Sequence, residues 1–224
     1  MAYPSIISSV LLIKMKNKTK AKFYKLRRYL GSYFTYECAS CGKYVRGSCL
    51  CKDCEAKLPE TEVCSESSAF AYYYEGVPKD VMLRYKFHGD YAYCRDTLCD
   101  WLLEAYKNLP AKEIDFATCV PTWKLKSTRL TELSKEFCAM ADIPFCDAVL
   151  KKTRKTEKQH RLSAEDRRKN LICAFEAADE VKGKAILLID DIYTTGSTID
   201  ECSKALLSKG AAKILVLTVL RTPR

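Results

Sequence analysis

With 224 residues, the chain is long enough for one full α/β core and a small additional unit. Hydrophobic residues make up 48% and charged residues 29% of the sequence, as in an ordinary globular protein. No apolar stretch approaches the roughly 20 residues of a membrane span, and the short one at 6–13 lacks the flanking features of a signal peptide. We therefore expect a cytoplasmic protein without a membrane span.

The N-terminal segment, residues 1–36, is basic. It contains eight Lys or Arg residues and no acidic residue, within a chain of net charge +10. A polyanion or an anionic membrane surface is a candidate ligand for such a segment. A solvated basic arm without a ligand is the alternative, because no recognition motif accompanies the charge.

Residues 37–62 contain two Cys-x-x-Cys pairs, Cys38/Cys41 and Cys51/Cys54. Four thiolates from two such pairs are typical of a closed, structural zinc site. Because the segment has few apolar residues, zinc binding is expected to supply much of its folding free energy. Cys49 is an alternative ligand to Cys51, and a redox-active pair or unliganded thiols are the alternatives to zinc. The odd number of cysteines, thirteen, argues against a disulfide framework.

A polar linker at 59–68 separates this knuckle from a third unit, residues 68–224. The residue pattern in that unit predicts strands at 69–74, 116–120, 145–150, 186–189 and 214–220, and helices at 77–87, 94–108, 127–141 and 197–209. Strands that alternate with helices predict a parallel, doubly wound α/β sheet.

Two stretches between these elements are candidates for binding pyrophosphate. The turn after the strand at 116–120 carries Thr122 and Lys124, which provide a hydroxyl and a cation at a strand's carboxyl end. Residues 151–169 contain nine Lys or Arg residues and three acidic residues. We interpret this stretch as a mobile, cationic cover over a binding site, and a solvated loop and helix face is the alternative.

Residues 186–198 read Ile-Leu-Leu-Ile-Asp-Asp-Ile-Tyr-Thr-Thr-Gly-Ser-Thr. The aliphatic run predicts a buried parallel strand, from whose carboxyl end Asp190 and Asp191 emerge. Two carboxylates accept hydrogen bonds and therefore suit the vicinal hydroxyls of a ribose. Hydroxyl and N–H groups at the start of the next helix suit a phosphate, and they belong to Thr194, Thr195, Gly196, Ser197 and Thr198. An ordinary βαβ crossover with a polar turn is the alternative.

This stretch resembles, at every position, the 5-phosphoribosyl-1-pyrophosphate (PRPP) signature of type I phosphoribosyltransferases. The resemblance implies that fold for residues 68–224 and a site for PRPP with Mg²⁺. It also implies displacement of pyrophosphate at the anomeric carbon by an acceptor that the sequence does not identify. The catalytic candidates are then Asp190, Asp191, Lys124 and Arg154, with Thr122 as an additional PRPP ligand.

The motifs together, in their order, resemble the ComF family, which includes ComFC and GntX-like proteins. They are the two Cys-x-x-Cys pairs, Val-Met-Leu-Arg-Tyr-Lys-Phe-His-Gly at 81–89, Val-Pro at 120–121, Arg-Lys-Thr-x-x-Gln at 154–159 and the acidic motif. The resemblance implies a zinc-bearing phosphoribosyltransferase homologue linked to natural competence, with single-stranded DNA and a competence helicase as partners. It adds Lys86 as a functional candidate. It also adds four candidates in the cover, namely Arg154, Gln159, Arg167 and Asn170. Cys173 stands where the family usually has glycine.

Two other functions stay open at this point. The first is a non-catalytic accessory protein that senses PRPP or binds nucleic acid. The second, less favoured, is nucleobase salvage, because no recognisable base-binding element follows the acidic motif.

Overall fold

A computed structural model describes residues 6–59, 65–88, 92–109, 113–123, 128–156, 171 and 173–223. Its helices are α1 Ile6–Gly31, α2 Lys52–Glu55, α3 Gly76–Phe87, α4 Ala92–Lys107, α5 Arg129–Met140 and α6 Ser197–Ser208, with a 3₁₀ turn at Asp179–Val181. Its strands are β1 Thr35–Glu37, β2 Tyr44–Arg46, β3 Ser68–Tyr73, β4 Phe116–Cys119, β5 Leu150–Lys152, β6 Phe175–Ala177, β7 Ala185–Tyr193 and β8 Lys213–Arg221.

The central sheet has four parallel strands in the order β3-β8-β7-β4, which confirms the predicted parallel sheet. Its middle strands are aliphatic because both of their faces are covered. Leu187 and Ile189 of β7 pack in one core cluster with residues of α3, α4 and α5. Ile186 and Leu188 pack on the opposite face, in a second cluster with residues of β5, β6 and α6. The sheet is therefore doubly wound, as the sequence pattern predicts.

The prediction of a strand at 145–150 is wrong in its bounds, because β5 covers only Leu150–Lys152. Phe145 makes an isolated parallel bridge with Ala117 at the edge of the central sheet. The chain then leaves the sheet, and β5 pairs antiparallel with β6 in a separate two-stranded sheet. Local residue pattern specifies an extended backbone but does not specify its pairing partner, which explains the error. As a result, the small β5–β6 sheet is free to form one wall of a cavity beside the central sheet.

The C-terminal half of the basic segment packs on the α/β unit. Arg27 lies 2.9 Å from Glu136, whose side chain is fully buried in α5, and Arg95 of α4 contacts the same carboxylate. Arg28 lies 2.6 Å from Asp100 of α4. Two of the eight N-terminal cations therefore pair with acids of α4 and α5 instead of facing solvent. Four others are exposed on α1, namely Lys18, Lys20, Lys22 and Lys25.

In the described ranges, no helix combines the length and apolar character that are needed to cross a bilayer. The division of the chain at 1–36, 37–62 and 68–224 stays a prediction.

Candidate metal cluster and acidic pocket

The four predicted cysteine ligands converge at one point. Cys38 and Cys41 lie in the turn between β1 and β2, Cys51 caps α2, and Cys54 lies within α2. Their four Sγ atoms lie within 4.8 Å of one another, which suits a single tetrahedral metal ion such as Zn²⁺. Cys49 points away and donates a hydrogen bond to Thr97 Oγ1 at 3.1 Å. Cys51, and not Cys49, therefore belongs to the four-cysteine cluster.

The protonation of the cluster also favours a cation. Burial opposes ionisation of Cys38, but backbone N–H groups that point at its sulfur lower its pKa to about 6. Burial and the neighbouring thiols raise the pKa of Cys54 to about 12. A divalent metal would supply the positive charge that is needed to deprotonate the full set.

The acidic pair lies at the carboxyl end of the central sheet, although β7 does not end at Ile189 as predicted. The strand continues to Tyr193, because Asp190, Ile192 and Tyr193 stay paired with β8. Its other neighbour, β4, ends at Cys119. Asp190 and Asp191 therefore extend beyond β4 and line a cavity of about 340 Å³.

Asp190 and Asp191 differ in their surroundings. Asp190 Oδ1 accepts a hydrogen bond from the Asp191 backbone N–H at 2.9 Å. Burial, followed by the negative charge of Asp191, raises the pKa of Asp190 to about 8. At neutral pH Asp190 in the ligand-free protein is therefore mainly protonated, whereas the residue pattern alone suggested a carboxylate at this position.

Asp191 forms an ion pair with Lys86. The Lys86 Nζ atom lies 2.6 Å from Asp191 Oδ2, and both side chains are about one-quarter exposed. Lys86 belongs to the last turn of α3, far from β7 in sequence. The family resemblance selects this lysine but does not give its partner.

The hydroxyl-rich loop leads into α6 next to the acidic pair. Gly196 is the N-cap of α6 and has φ of 81°, and a Cβ atom there would clash with the Tyr193 hydroxyl. Both facts require glycine. Thr194, Gly196 and Thr198 line the cavity. Of the two other loop residues, Ser197 is buried, and the hydroxyl groups of Thr195 and Ser197 lie 2.9 Å apart.

Further parts of the cavity wall come from the turn after β4, which includes Thr122, and from the β5–β6 sheet. Lys152 of β5 lies with Nζ 5.5 Å from the centroid of the Phe175 ring in β6 and donates to Thr156 Oγ1 at 2.7 Å. Burial, with a smaller contribution from Arg154, lowers the pKa of Lys152. In the sequence, Lys152 is only one of nine cations in its stretch. Lys152 follows the buried Leu150 by two residues, and alternate residues of a strand lie on the same face. This spacing therefore places Lys152 on the inward face of β5.

The predicted cover is described only in part. Arg154 is exposed just beyond β5 and is not among the residues that line the cavity. The remaining candidates lie outside the described residues, and their roles stay predictions: Lys124, Gln159, Arg167 and Asn170.

Comparison with known proteins agrees with this architecture. Residues 127–224, which run from the start of α5 to the end of the chain, match the family model of the phosphoribosyl transferase domain. The class of protein is thus a phosphoribosyltransferase-like α/β protein with an N-terminal four-cysteine cluster.

Competence protein F of Haemophilus influenzae is 36% identical over 102 residues, a match that covers 44% of each chain. The match thus spans less than half the length of that relative. Competence protein ComFC of Bacillus subtilis is 25% identical over 208 residues, which cover 89% of this chain and 83% of that one. The chain thus resembles proteins of the ComF family, and both of these relatives are named as competence proteins.

Glutamine PRPP amidotransferase from B. subtilis has a similar structure, with a TM-score of 0.42 and 18% identity over 79% of this chain and 33% of that chain. Similarity at this level carries no argument about function.

Proposed function

We propose that the protein binds PRPP together with Mg²⁺ in the acidic pocket and transfers the phosphoribosyl group to an acceptor. One observation carries this proposal. A single cavity is lined by the acidic pair at one end of β7, by the hydroxyl-rich start of α6 and by two lysines from other elements. These groups match, in order, the ribose hydroxyls, the 5′-phosphate and the diphosphate of one ligand.

The assignments follow from charge and position. Asp190 and Asp191 bind the ribose hydroxyls, because no anionic part of the ligand would approach them without a cation. The 5′-phosphate lies at the N-terminus of α6, where Thr194, Gly196 and Thr198 offer hydroxyl and N–H donors. Lys152 and Thr122 also line the cavity and bind the diphosphate. We retain Lys124 and Arg154 as further diphosphate ligands on the basis of the sequence.

The reaction breaks the bond between the anomeric carbon and the diphosphate oxygen and forms a bond from that carbon to the acceptor. Positive charge develops on the ribose ring, and the two carboxyl groups beside the ring stabilise it. The lysines neutralise the departing pyrophosphate, and the cover over the cavity excludes water. Asp190 and Asp191 are the oxygen donors that would hold Mg²⁺, which would offset the negative charge of the diphosphate.

Turnover is tested by incubating the zinc-loaded protein with PRPP, Mg²⁺ and candidate acceptors, including single-stranded DNA, and measuring released pyrophosphate. Acceptor-dependent release that is abolished in Asp190→Asn/Asp191→Asn supports transfer. Saturable PRPP binding without release by any acceptor would instead support the non-catalytic sensor. Release with free nucleobases alone would support nucleobase salvage.

A second function, binding of single-stranded DNA, is favoured by the outer surface of α1. Exposed aromatic side chains accompany the exposed lysines there and in the β1–β2 hairpin, namely Phe23, Tyr29, Tyr33, Phe34 and Tyr44. Aromatic rings beside cations bind single strands by stacking and by charge. Replacing Lys18, Lys20, Lys22 and Lys25 by Gln should weaken DNA binding. It should also reduce the slope of log affinity against log salt concentration by up to about 0.7 per lysine. An unchanged slope would contradict this role for α1.

The link to competence leads us to place this activity on the cytoplasmic side, where incoming single-stranded DNA is handled, with a competence helicase as a partner. Co-purification of the full-length chain with that helicase in the presence and absence of single-stranded DNA tests the partnership.

A further inference from the structure

Lys86 lies outside the part of the chain that matches the phosphoribosyl transferase domain, yet its ammonium group touches the acidic pair. We infer that Lys86 is a positioning residue that supplies built-in positive charge to Asp191 and thereby sets how strongly PRPP binding depends on Mg²⁺. This inference rests on the proposed PRPP site and deepens it, because it concerns the metal requirement of that site.

The position of Lys86 is fixed by its helix. Val81, Met82 and Tyr85 are buried on the inner face of α3. The Tyr85 hydroxyl donates to the backbone carbonyl of Arg129 at the start of α5, and the Arg129 guanidinium donates to the Tyr85 carbonyl. This reciprocal pair of hydrogen bonds ties the last turn of α3 to α5. Lys86, one residue later, therefore extends into the cavity from a rigid support.

The ion pair is also partly shielded from water. Lys86 and Asp191 are 29% and 25% exposed, so their attraction is less screened than that of a surface pair. The other lysine that lines the described cavity is Lys152, and its ammonium group contacts Thr156 and the Phe175 ring instead of Asp191. Lys86 is thus the lysine placed to act on Asp191.

A lysine ammonium resembles a metal ion in being a compact point charge, but it has three donors in addition. It can remain beside Asp191 and still donate to a ribose hydroxyl or to a diphosphate oxygen. In the ligand-free protein it also competes with Mg²⁺ for the same carboxylate oxygen. Removing its charge should therefore have two effects. PRPP binding should need more Mg²⁺, and Mg²⁺ alone should bind the protein more tightly.

The experiment compares the zinc-loaded, full-length protein with Lys86→Gln, Lys86→Arg and Lys79→Gln. Lys79 is exposed and lies on the same helix, seven positions before Lys86. Its substitution therefore controls for the loss of one charge on α3. Calorimetric titrations with PRPP are carried out over a series of Mg²⁺ concentrations. Separate titrations use MgCl₂ without PRPP, and thermal melting checks that each variant is folded.

We expect Lys86→Gln to lose about tenfold in PRPP affinity at low Mg²⁺, in line with the loss of a partly buried ion pair, and to recover most of it at saturating Mg²⁺. Lys86→Arg should keep most of the wild-type behaviour, and Lys79→Gln should match the wild type. In the titration without PRPP, Lys86→Gln should bind Mg²⁺ more tightly than the wild type.

An affinity loss of equal size at all Mg²⁺ concentrations, or no loss, would overturn the inference while leaving the proposed function intact. Wild-type protein that binds no PRPP at any Mg²⁺ concentration would overturn the proposed function. The MgCl₂ titration still decides about Lys86 in that case, because equal Mg²⁺ affinity of wild type and Lys86→Gln would contradict its competition with the metal.

Discussion

The four-cysteine cluster and the acidic pocket are built in opposite ways. All ligands of the cluster come from residues 38–54, and their convergence follows from two short turns. The pocket instead draws on α3, the turn after β4, the β5–β6 sheet, β7 and α6, which are far apart in the chain. The cluster therefore depends on local sequence for its shape, whereas the pocket depends on the fold.

Loss of the metal is expected to have the largest effect. Three of the four cluster cysteines, Cys38, Cys51 and Cys54, pack in the same core cluster as α3, α4 and the central strands, so disruption of the metal site should spread into that core. We expect Cys38→Ser/Cys54→Ser to lose bound zinc and to lower the free energy of unfolding by about 3 kcal/mol or more. Metal analysis and urea unfolding measure both quantities.

Cys49→Ser is the matched control for that variant, because Cys49 is equally buried but contacts Thr97 instead of the cluster. It should retain zinc. Zinc loss in Cys49→Ser would show that Cys49 belongs to the ligand set, and full stability of the double variant would show that the metal is not structural.

A substitution in the phosphate loop should have the next largest effect. Gly196→Ala introduces a methyl group against the Tyr193 ring and imposes a positive φ on alanine, with an expected cost of about 2–3 kcal/mol. Gly183→Ala carries the same kind of backbone cost, since φ there is 70°, but its Cβ meets no atom within 4 Å. Thermal unfolding should show the smaller loss for Gly183→Ala. Equal losses would mean that the loop is not tightly packed against Tyr193.

The raised pKa of Asp190 should make stability depend on pH. Its pKa is about 8 in the folded protein and near 3.8 when unperturbed, so protonation favours the folded state. Its contribution is fully present below about pH 4 and is lost as the pH rises towards 8, at no more than about 1.4 kcal/mol per pH unit. Burial raises the pKa of Asp96 to about 6, so Asp96 adds a similar decline in stability as the pH rises towards 6.

Urea unfolding at several values between pH 6 and pH 8 isolates Asp190. The wild type should lose stability over this range, and Asp190→Asn should show a clearly flatter profile. Parallel profiles for the two proteins would mean that Asp190 is ionised at neutral pH.

The smallest expected effect concerns Cys173, which has φ of 55° at a position where the family usually has glycine. Cys173→Gly should relieve the left-handed strain but increase the entropy of the unfolded chain, with a net gain of about 0.5 kcal/mol. Cys173→Ala keeps the strain and should give no gain. A melting temperature that rises equally in both variants would attribute the effect to the thiol instead of the backbone.

The contrast between local and distant contacts also explains how much the sequence could predict. The cysteine spacing and the aliphatic runs of β7 and β8 are local signals. The predicted convergence of the four cysteines and the two predicted strands are confirmed. The pairing of β5 with β6 depends on contacts between distant segments, which the residue pattern does not encode. The pattern places Lys152 on the inward face of β5 but does not show that this face borders the cavity. The sequence places Arg27 and Arg28 in a basic arm. Their buried partner, Glu136, lies more than 100 residues away, so the residue pattern does not reveal these ion pairs.

The most direct test is calorimetric titration of PRPP with Mg²⁺ into the wild type, Asp190→Asn/Asp191→Asn and Asp179→Asn/Glu180→Gln. The last variant removes two exposed carboxylates outside the cavity and controls for net charge. We predict micromolar or tighter binding by the wild type and the control, and at least about a hundredfold loss in the acidic-pair variant, as for two hydrogen-bonded ligand contacts. Equal affinity in all three proteins would contradict the assignment of the acidic pair to the ribose.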